Sequence, residues 1–115
     1  MKTGIELIAE ERQRQIDVEG WTPEHDDEHT DESLAMAAAL YATPTILYKV
    51  NVHENGVDFI DPWPWVNDDP GSRTDGAHCW DGRESKPRLR QLTIAGALIA
   101  AEIDRIQRKQ NKEKP

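Results

Sequence analysis

The segment 24–32, Glu-His-Asp-Asp-Glu-His-Thr-Asp-Glu, carries six carboxylates and two imidazoles in nine residues. Carboxylate oxygens are the ligands that Mg²⁺ prefers, and Mn²⁺ accepts imidazole nitrogens as well. The segment therefore predicts a divalent-cation site that holds Mg²⁺ or Mn²⁺. Its candidate metal ligands are Asp26, Asp27 and Glu28, and its candidate catalytic bases are His25 and His29.

A structural interpretation of the same acidic segment stays open. Carboxylates are favourable at the positive N-terminal end of a helix, and Thr and Asp are good N-cap residues. On this reading Thr30 or Asp31 caps the second helix of the chain, and the surrounding acids stabilise its first turn. This interpretation needs no metal ion.

Glu102 is a second unusual carboxylate, because it directly follows the apolar run 94–101. Burying an unpaired carboxylate costs on the order of several kcal/mol, so this side chain needs a partner. One candidate partner is an arginine such as Arg12, Arg14 or Arg88. The other is a metal ion shared with the acidic segment, which makes Glu102 a candidate metal ligand.

Three tryptophans and two arginines are candidates for binding a ligand. Trp21, Trp63 and Trp65 are either core anchors under a long loop or aromatic faces that stack on a nucleobase. Arg88 and Arg90 are suited to neutralising phosphate, since a guanidinium group matches phosphate geometry.

Helical spacing of apolar residues predicts a mainly α fold with three principal helices, at residues 5–18, 30–42 and 87–108. Residues 1–108 are expected to form a single helical domain, and the polar tail 109–115 to be disordered. The third helix is expected to be central. Its predicted apolar face comprises Leu89, Leu92, Ala95, Gly96, Ile99, Ala100, Ile103 and Ile106.

The insertion at residues 43–85 is rich in Pro, Gly, Asp and Trp. Alternating apolar residues on both sides of Asn55-Gly56 predict a small β-hairpin with arms at 48–52 and 57–59. The rest of the insertion is predicted to be a long loop rich in Trp and Pro. A loop of this length in a small domain usually covers a site or an interface.

Composition narrows the classes of partner. The net charge of -8 disfavours binding to free nucleic acid, which depends on neutralising phosphates. No apolar run is long enough to span a bilayer or to act as a signal peptide, and Cys79 has no second cysteine to pair with, so we expect a cytoplasmic protein. Segments 34–42 and 94–101 are apolar almost all round, which predicts a homo-oligomer.

The strings Glu10-Glu11 and, further on, Glu-His-Thr-Asp at 28–31 resemble the paired acidic motifs of the all-α nucleoside triphosphate pyrophosphohydrolases, the MazG-like group. Arg14 stands where that family carries the third Glu of its first motif. The resemblance implies a helical dimer or tetramer in which acids such as Glu11 hold magnesium against nucleotide phosphates while water attacks.

A second resemblance covers most of the chain. Segments 11–15, 19–27, 63–65 and 95–105 are similar to a family of short, functionally unassigned proteins of tailed phages and prophages. This resemblance implies a phage accessory protein that works in the host cytoplasm and handles nucleotides of the replication pool or of host-defence signalling.

Two functions follow as hypotheses. The first is metal-dependent hydrolysis of a nucleotide phosphoanhydride, with Glu11, Asp26, Asp27, Glu28 and Glu102 as metal ligands. The alternative is a non-catalytic nucleotide-binding protein with a counter-defence role, which sequesters a host signalling nucleotide. A Trp ring would stack on its base, and Arg73, Arg83, Arg88 or Arg90 would neutralise its phosphate between subunits.

Overall fold

The computed structural model describes residues 1–45, 47–60, 62–64 and 85–113. The fold is mainly helical with one small antiparallel sheet, as the sequence predicted. Its elements in chain order are α1 Gly4–Asp17, α2 Pro23–Asp27, α3 Ser33–Ala42, β1 Lys49–His53, β2 Gly56–Ile60 and α4 Arg88–Glu113. Helices α1, α3 and α4 correspond to the three predicted principal helices, whereas α2 was not predicted.

Helix α1 begins at a capping box. The Thr3 hydroxyl accepts the Glu6 backbone N–H at 3.2 Å, and the Glu6 carboxylate accepts the Thr3 backbone N–H at 3.3 Å. These two hydrogen bonds satisfy backbone donors that the first helical turn leaves without partners. Gly20, with a φ of 75°, turns the chain after the helix, because glycine adopts this left-handed conformation at little cost.

The acidic segment forms a short helix and a loop, not the start of the second principal helix. Thr22 caps α2 by accepting the His25 backbone N–H at 3.3 Å, and Pro23 occupies the first turn. Helix α3 then begins at Ser33, later than the predicted Thr30 or Asp31. The delay has a local cause, because Glu32 has a φ of 64° and the Asp31 carboxylate accepts the Ser33 backbone N–H at 3.1 Å.

The core lies between α3 and α4. Small alanine side chains on α3 allow a close approach to α4, and Trp21, Tyr41 and Trp63 pack around the contact. The buried apolar cluster consists of Leu34, Ala37, Ala38, Ile94, Leu98 and Ala101.

The predicted apolar face of α4 is largely wrong. The large side chains assigned to the core are exposed: Leu89, Leu92, Ile99, Ile103 and Ile106. The buried side instead carries Ile94, Ala95, Ala97, Leu98 and Ala101 together with polar residues. The alanine-rich surface of α3 accepts small side chains at short range, so helix packing selected the smaller of two apolar faces.

Gly96 lies at a close approach of α1 to α4. A Cβ atom at this position would lie 2.7 Å from Ile8 Cγ1, which is shorter than a van der Waals contact. Helix α4 continues to Glu113, so residues 109–113, predicted to be disordered, are helical. Lys112 Nζ lies 3.9 Å from Asp27 Oδ2, a charge contact that favours this extension of the helix.

Strands β1 and β2 form the predicted hairpin in antiparallel register, with Val50 opposite Phe59 and Val52 opposite Val57. Every residue of both strands is exposed. Most of the predicted Trp/Pro-rich loop, 65–84, lies outside the described residues. Among the described helices, none is long and apolar enough to cross a membrane.

Candidate functional site

Glu11 is the centre of a buried polar cluster between α1 and α4. Its side chain is 1% exposed. Arg14, one turn further along α1, donates to both Glu11 oxygens at 2.8 and 3.0 Å, and Arg90 from α4 lies 2.6 Å from Oε1. The Gln15 amide donates to Oε2 at 3.2 Å. One carboxylate therefore fixes two guanidinium groups from different helices.

The two arginines keep Glu11 ionised. Burial alone would raise the pKa of Glu11, but the hydrogen bonds from Arg14 and Arg90 outweigh it and hold the pKa below its ordinary value. The same carboxylate, by its hydrogen bond, raises the pKa of Arg14. The Arg14 guanidinium therefore stays charged at every physiological pH.

A groove of about 390 Å³ opens beside this cluster, between α1 and the start of α4. Its volume falls within the range of small-molecule sites, roughly 300 to 1,000 Å³. Arg14 and Arg90 reach its mouth, with side chains 38% and 35% exposed. Its apolar wall is formed by Leu7, Pro87 and Leu89. Glu10 and Glu11 also line the groove, which thus combines two guanidinium groups, two carboxylates and an apolar surface.

Asp26, a predicted metal ligand, is fully buried and paired with Arg12. The Arg12 guanidinium also donates to the Trp21 carbonyl at 3.1 Å, so it ties α1 to the turn before α2. The His25 ring approaches Asp26 Oδ1 with Nδ1 at 3.2 Å, and Trp21 stacks parallel to it with a centroid distance of 6.1 Å. This arrangement serves local structure.

Asp27 and Glu28, the neighbouring predicted ligands, have different environments. Arg108 from α4 donates to Asp27 Oδ1 at 2.8 and 3.0 Å, and these hydrogen bonds hold the pKa of Asp27 below its ordinary value. Glu28 ends α2 and is exposed. The His29 ring lies 4.8 Å from the ring of His25, measured between centroids.

Glu102 pairs with Arg105, one turn further along α4. Arg105 Nε donates to Glu102 Oε1 at 2.5 Å, and both side chains are 8% exposed. An arginine partner was one of the two alternatives expected from the sequence, but the expected residues Arg12, Arg14 and Arg88 were wrong, because Arg105 lies one turn away on the same helix. Among the described residues, the buried Glu102 Oε2 has no hydrogen-bond partner.

Four of the five predicted metal ligands, Glu11, Asp26, Asp27 and Glu102, therefore contact separate arginines, and Glu28 is exposed. Within residues 1–45, 47–60, 62–64 and 85–113, no three or more His, Cys, Asp or Glu side chains form a group suited to holding a metal ion. The predicted bases His25 and His29 lie together beside Trp21. Segment 65–84 contains further carboxylates, His78 and Cys79, which lie outside the described residues.

The predicted ligand-binding residues divide into three groups. Arg90 reaches the groove, whereas Arg88 caps α3 by donating to the carbonyls of Tyr41, Ala42 and Thr43. Trp21 and Trp63 pack against the core, and Trp63 meets Tyr41 edge-on with centroids 6.1 Å apart. Trp65 lies outside the described residues.

Sequence reasoning missed Arg105 as the partner of Glu102. The available signal was the i,i+3 spacing of the pair, which places a carboxylate and a guanidinium group on the same side of a helix. The pair of Glu11 and Arg14 has the same spacing, and pairing of the acids of the first helix with Arg12 or Arg14 was an open alternative from the sequence. The contact between Glu11 and Arg90 had no such signal, since it joins two helices that are far apart in the sequence.

Comparison of the chain with models of known families, with curated proteins and with solved structures found no significant match.

Proposed function

We propose that this chain binds a small phosphorylated ligand of the nucleotide class in the groove between α1 and α4, without needing to cleave it. The single observation that supports this proposal is the buried Glu11 carboxylate, which holds Arg14 and Arg90 at the groove mouth. The proposal corresponds to the second hypothesis from the sequence, with a binding surface that differs from the expected tryptophans.

The arginines retain capacity for an anion. Each guanidinium carries five N–H donors, and Arg14 uses three of them, two on Glu11 and one on Glu19 Oε1 at 3.0 Å. Phosphate oxygens match paired guanidinium donors, and groups already fixed in place lose less entropy on binding. The Glu11 carboxylate pre-organises this pair of arginines, which lowers the cost of capturing phosphate.

The remaining wall of the groove suits a planar apolar group. Leu7, Pro87 and Leu89 offer aliphatic surface next to the arginines. A nucleobase or ribose placed there would remove apolar area from water while the phosphate contacts Arg14 and Arg90. Because Glu10 also lines the groove and the chain carries a net charge of -8, we expect a ligand with one or two phosphates to bind better than a triphosphate.

The test is calorimetric titration with a panel of mono-, di-, tri- and cyclic nucleotides, with Mg²⁺ or with EDTA. Arg90→Met should weaken binding at least about tenfold, a loss of about 1.4 kcal/mol. Arg108→Met is the matched control, because Arg108 also pairs with a carboxylate but lies outside the groove. Absence of binding by the unmodified chain, or an equal loss in both variants, would contradict the proposal.

The same samples report on the hydrolase hypothesis. After incubation with Mg²⁺ or Mn²⁺, heat denaturation and chromatography of the supernatant distinguish intact ligand from products. Recovery of intact nucleotide is expected for a binding protein. Metal-dependent release of a nucleoside monophosphate and pyrophosphate would instead support the nucleotide pyrophosphohydrolase predicted from the acidic motifs.

A further inference from the structure

One face of the β-hairpin is an exposed apolar surface. Side chains alternate between the two faces of a strand, so the opposed pairs Val50 and Phe59, and Val52 and Val57, lie on the same face. Their exposed fractions are 55%, 70%, 74% and 48%, in that order. A two-stranded hairpin in water is at best marginally stable unless it packs against another surface. The apolar face therefore calls for a covering surface.

Helix α4 presents a second exposed apolar surface. Ile99, Ile103 and Ile106 recur at intervals of four and three residues, which places them along one side of the helix. Their exposed fractions are 47%, 52% and 37%, while the opposite side of α4 is buried against α3. We call these three residues the isoleucine stripe.

We propose that the apolar face of the hairpin packs on the isoleucine stripe of a second copy of this chain, in a two-fold symmetric dimer. Within one chain the described strands pack mainly on each other, whereas α1, α2 and α3 all pack on α4. A two-fold axis brings the hairpin of each copy to the stripe of the other. The dimer therefore contains two equivalent contacts, which cover the hairpin face and the stripe of both copies. The exposed polar residues on the reverse side of the hairpin, including His53 and Asp58, face solvent.

The dimensions of the two surfaces agree. The stripe from Ile99 to Ile106 extends about 10 Å along the helix axis at roughly 1.5 Å per residue. The hairpin face extends about 7 Å along its strands and about 5 Å between them, with side chains projecting beyond both limits. A helix lying along the hairpin face would therefore contact all four of its apolar side chains.

The area is sufficient for a stable dimer. The seven half-exposed side chains of each copy, counted over both copies, supply on the order of 700 Å² of apolar surface. With the usual polar share of an interface, this corresponds to a total of about 1,200 Å². That value reaches the lower bound of standard specific interfaces.

Light scattering at micromolar concentration tests the dimer. The unmodified chain should have the mass of a dimer or a multiple of it, and Val52→Lys and Ile103→Lys should each give monomers with unchanged helical circular dichroism. Ile5→Lys is the matched control, since Ile5 is 82% exposed on α1 and belongs to neither surface. A monomeric unmodified chain, or folded variants that keep the dimer mass, would overturn the proposal.

Disulfide trapping tests which surfaces meet and does not depend on dissociation. Two proteins are prepared in a Cys79→Ser background, one with Val52→Cys and the other with Ile103→Cys. When they are mixed under mild oxidation, a disulfide should form between the two chains. Cross-links only between two Ile103→Cys chains would instead indicate helix against helix. A bond within a single chain carrying both cysteines at high dilution would show that the hairpin folds onto its own α4. Either result would overturn the proposal.

Discussion

At the scale of single residues, the acidic side chains of this protein are distinguished by their arginine partners. Glu11, Asp26, Asp27 and Glu102 each contact a guanidinium group, and three of them are buried. A buried ion pair contributes little net stability compared with an apolar pair, but removing one partner leaves a charge without compensation. Loss of a single carboxylate is therefore expected to cost more than its pairing contributed.

Glu102→Gln tests whether this residue is structural. We expect the free energy of unfolding to fall by about 2 to 4 kcal/mol, because Arg105 loses the charge that offsets its burial. Urea denaturation measures the change, and exposed Asp104→Asn on the same helix should alter it by no more than about 0.5 kcal/mol. A variant of full stability that has lost nucleotide binding would place Glu102 in a functional site.

At the scale of elements, α4 organises the fold. Helices α1, α2 and α3 all pack on it, and its first turn stabilises the end of α3. The last carbonyls of a helix lack partners within the helix, and Arg88 donates to those of Tyr41 and Thr43 at 3.3 and 3.0 Å. Arg88, expected from the sequence to bind phosphate, acts in this structure as a cap between two helices.

Arg88→Met tests this capping role. We expect the free energy of unfolding to fall by about 1 kcal/mol, since exposed hydrogen bonds contribute modestly. Amide hydrogen exchange should accelerate in the last turn of α3 and change little in α1. Exposed Lys109→Met, further along α4, is the control for loss of positive charge. Unchanged amide exchange in α3 together with weakened nucleotide binding would indicate that Arg88 contacts the ligand and does not cap α3.

At the scale of the whole molecule, two carboxylates of other helices form ion pairs with α4. Glu11 links α1 to Arg90, and Asp27 links α2 to Arg108. Burial raises the pKa of Glu11, but the hydrogen bonds from Arg14 and Arg90 outweigh it and lower the pKa. The pKa of Asp27 is lowered chiefly by its hydrogen bond from Arg108. Asp27 is 32% exposed, so solvent screening reduces its contribution.

These shifts predict acid sensitivity. A carboxylate with a lowered folded-state pKa stabilises the fold above its ordinary pKa, which is 4.5 for Glu11, and this stabilisation is lost as the pH falls through the folded-state value. Glu11→Gln should therefore be less stable than the unmodified chain at pH 7 and lose stability less steeply below pH 4.5. Urea midpoints measured from pH 7 to pH 3 check the slopes.

The matched control for the loss of stability at low pH is Glu10→Gln. Glu10 is the neighbouring residue, and its side chain is 54% exposed. This variant should reproduce the pH profile of the unmodified chain. If Glu11→Gln and the unmodified chain lose stability equally steeply at low pH, Glu11 contributes nothing to the pH dependence of stability.

The sequence determined the local elements. Helical spacing identified α1, α3 and α4, and alternation around Asn55-Gly56 identified the hairpin, because these periods reflect backbone geometry that acts over a few residues. The same local information missed α2, since a short helix contributes no apolar period and rests on its cap at Thr22 and on Pro23.

Only the tertiary structure decided which face of α4 is buried and which charges meet. Helix α4 has two apolar sides, and the alanine surface of α3 selected the side of Leu98 and Ala101, which left Ile103 exposed. Of the acidic residues that the sequence grouped as a metal site, all but Glu28 contact an arginine, and the contact between Glu11 and Arg90 joins residues far apart in the chain. Periodicity limits which side chains share a helix face, but contacts between helices depend on the shapes that pack together.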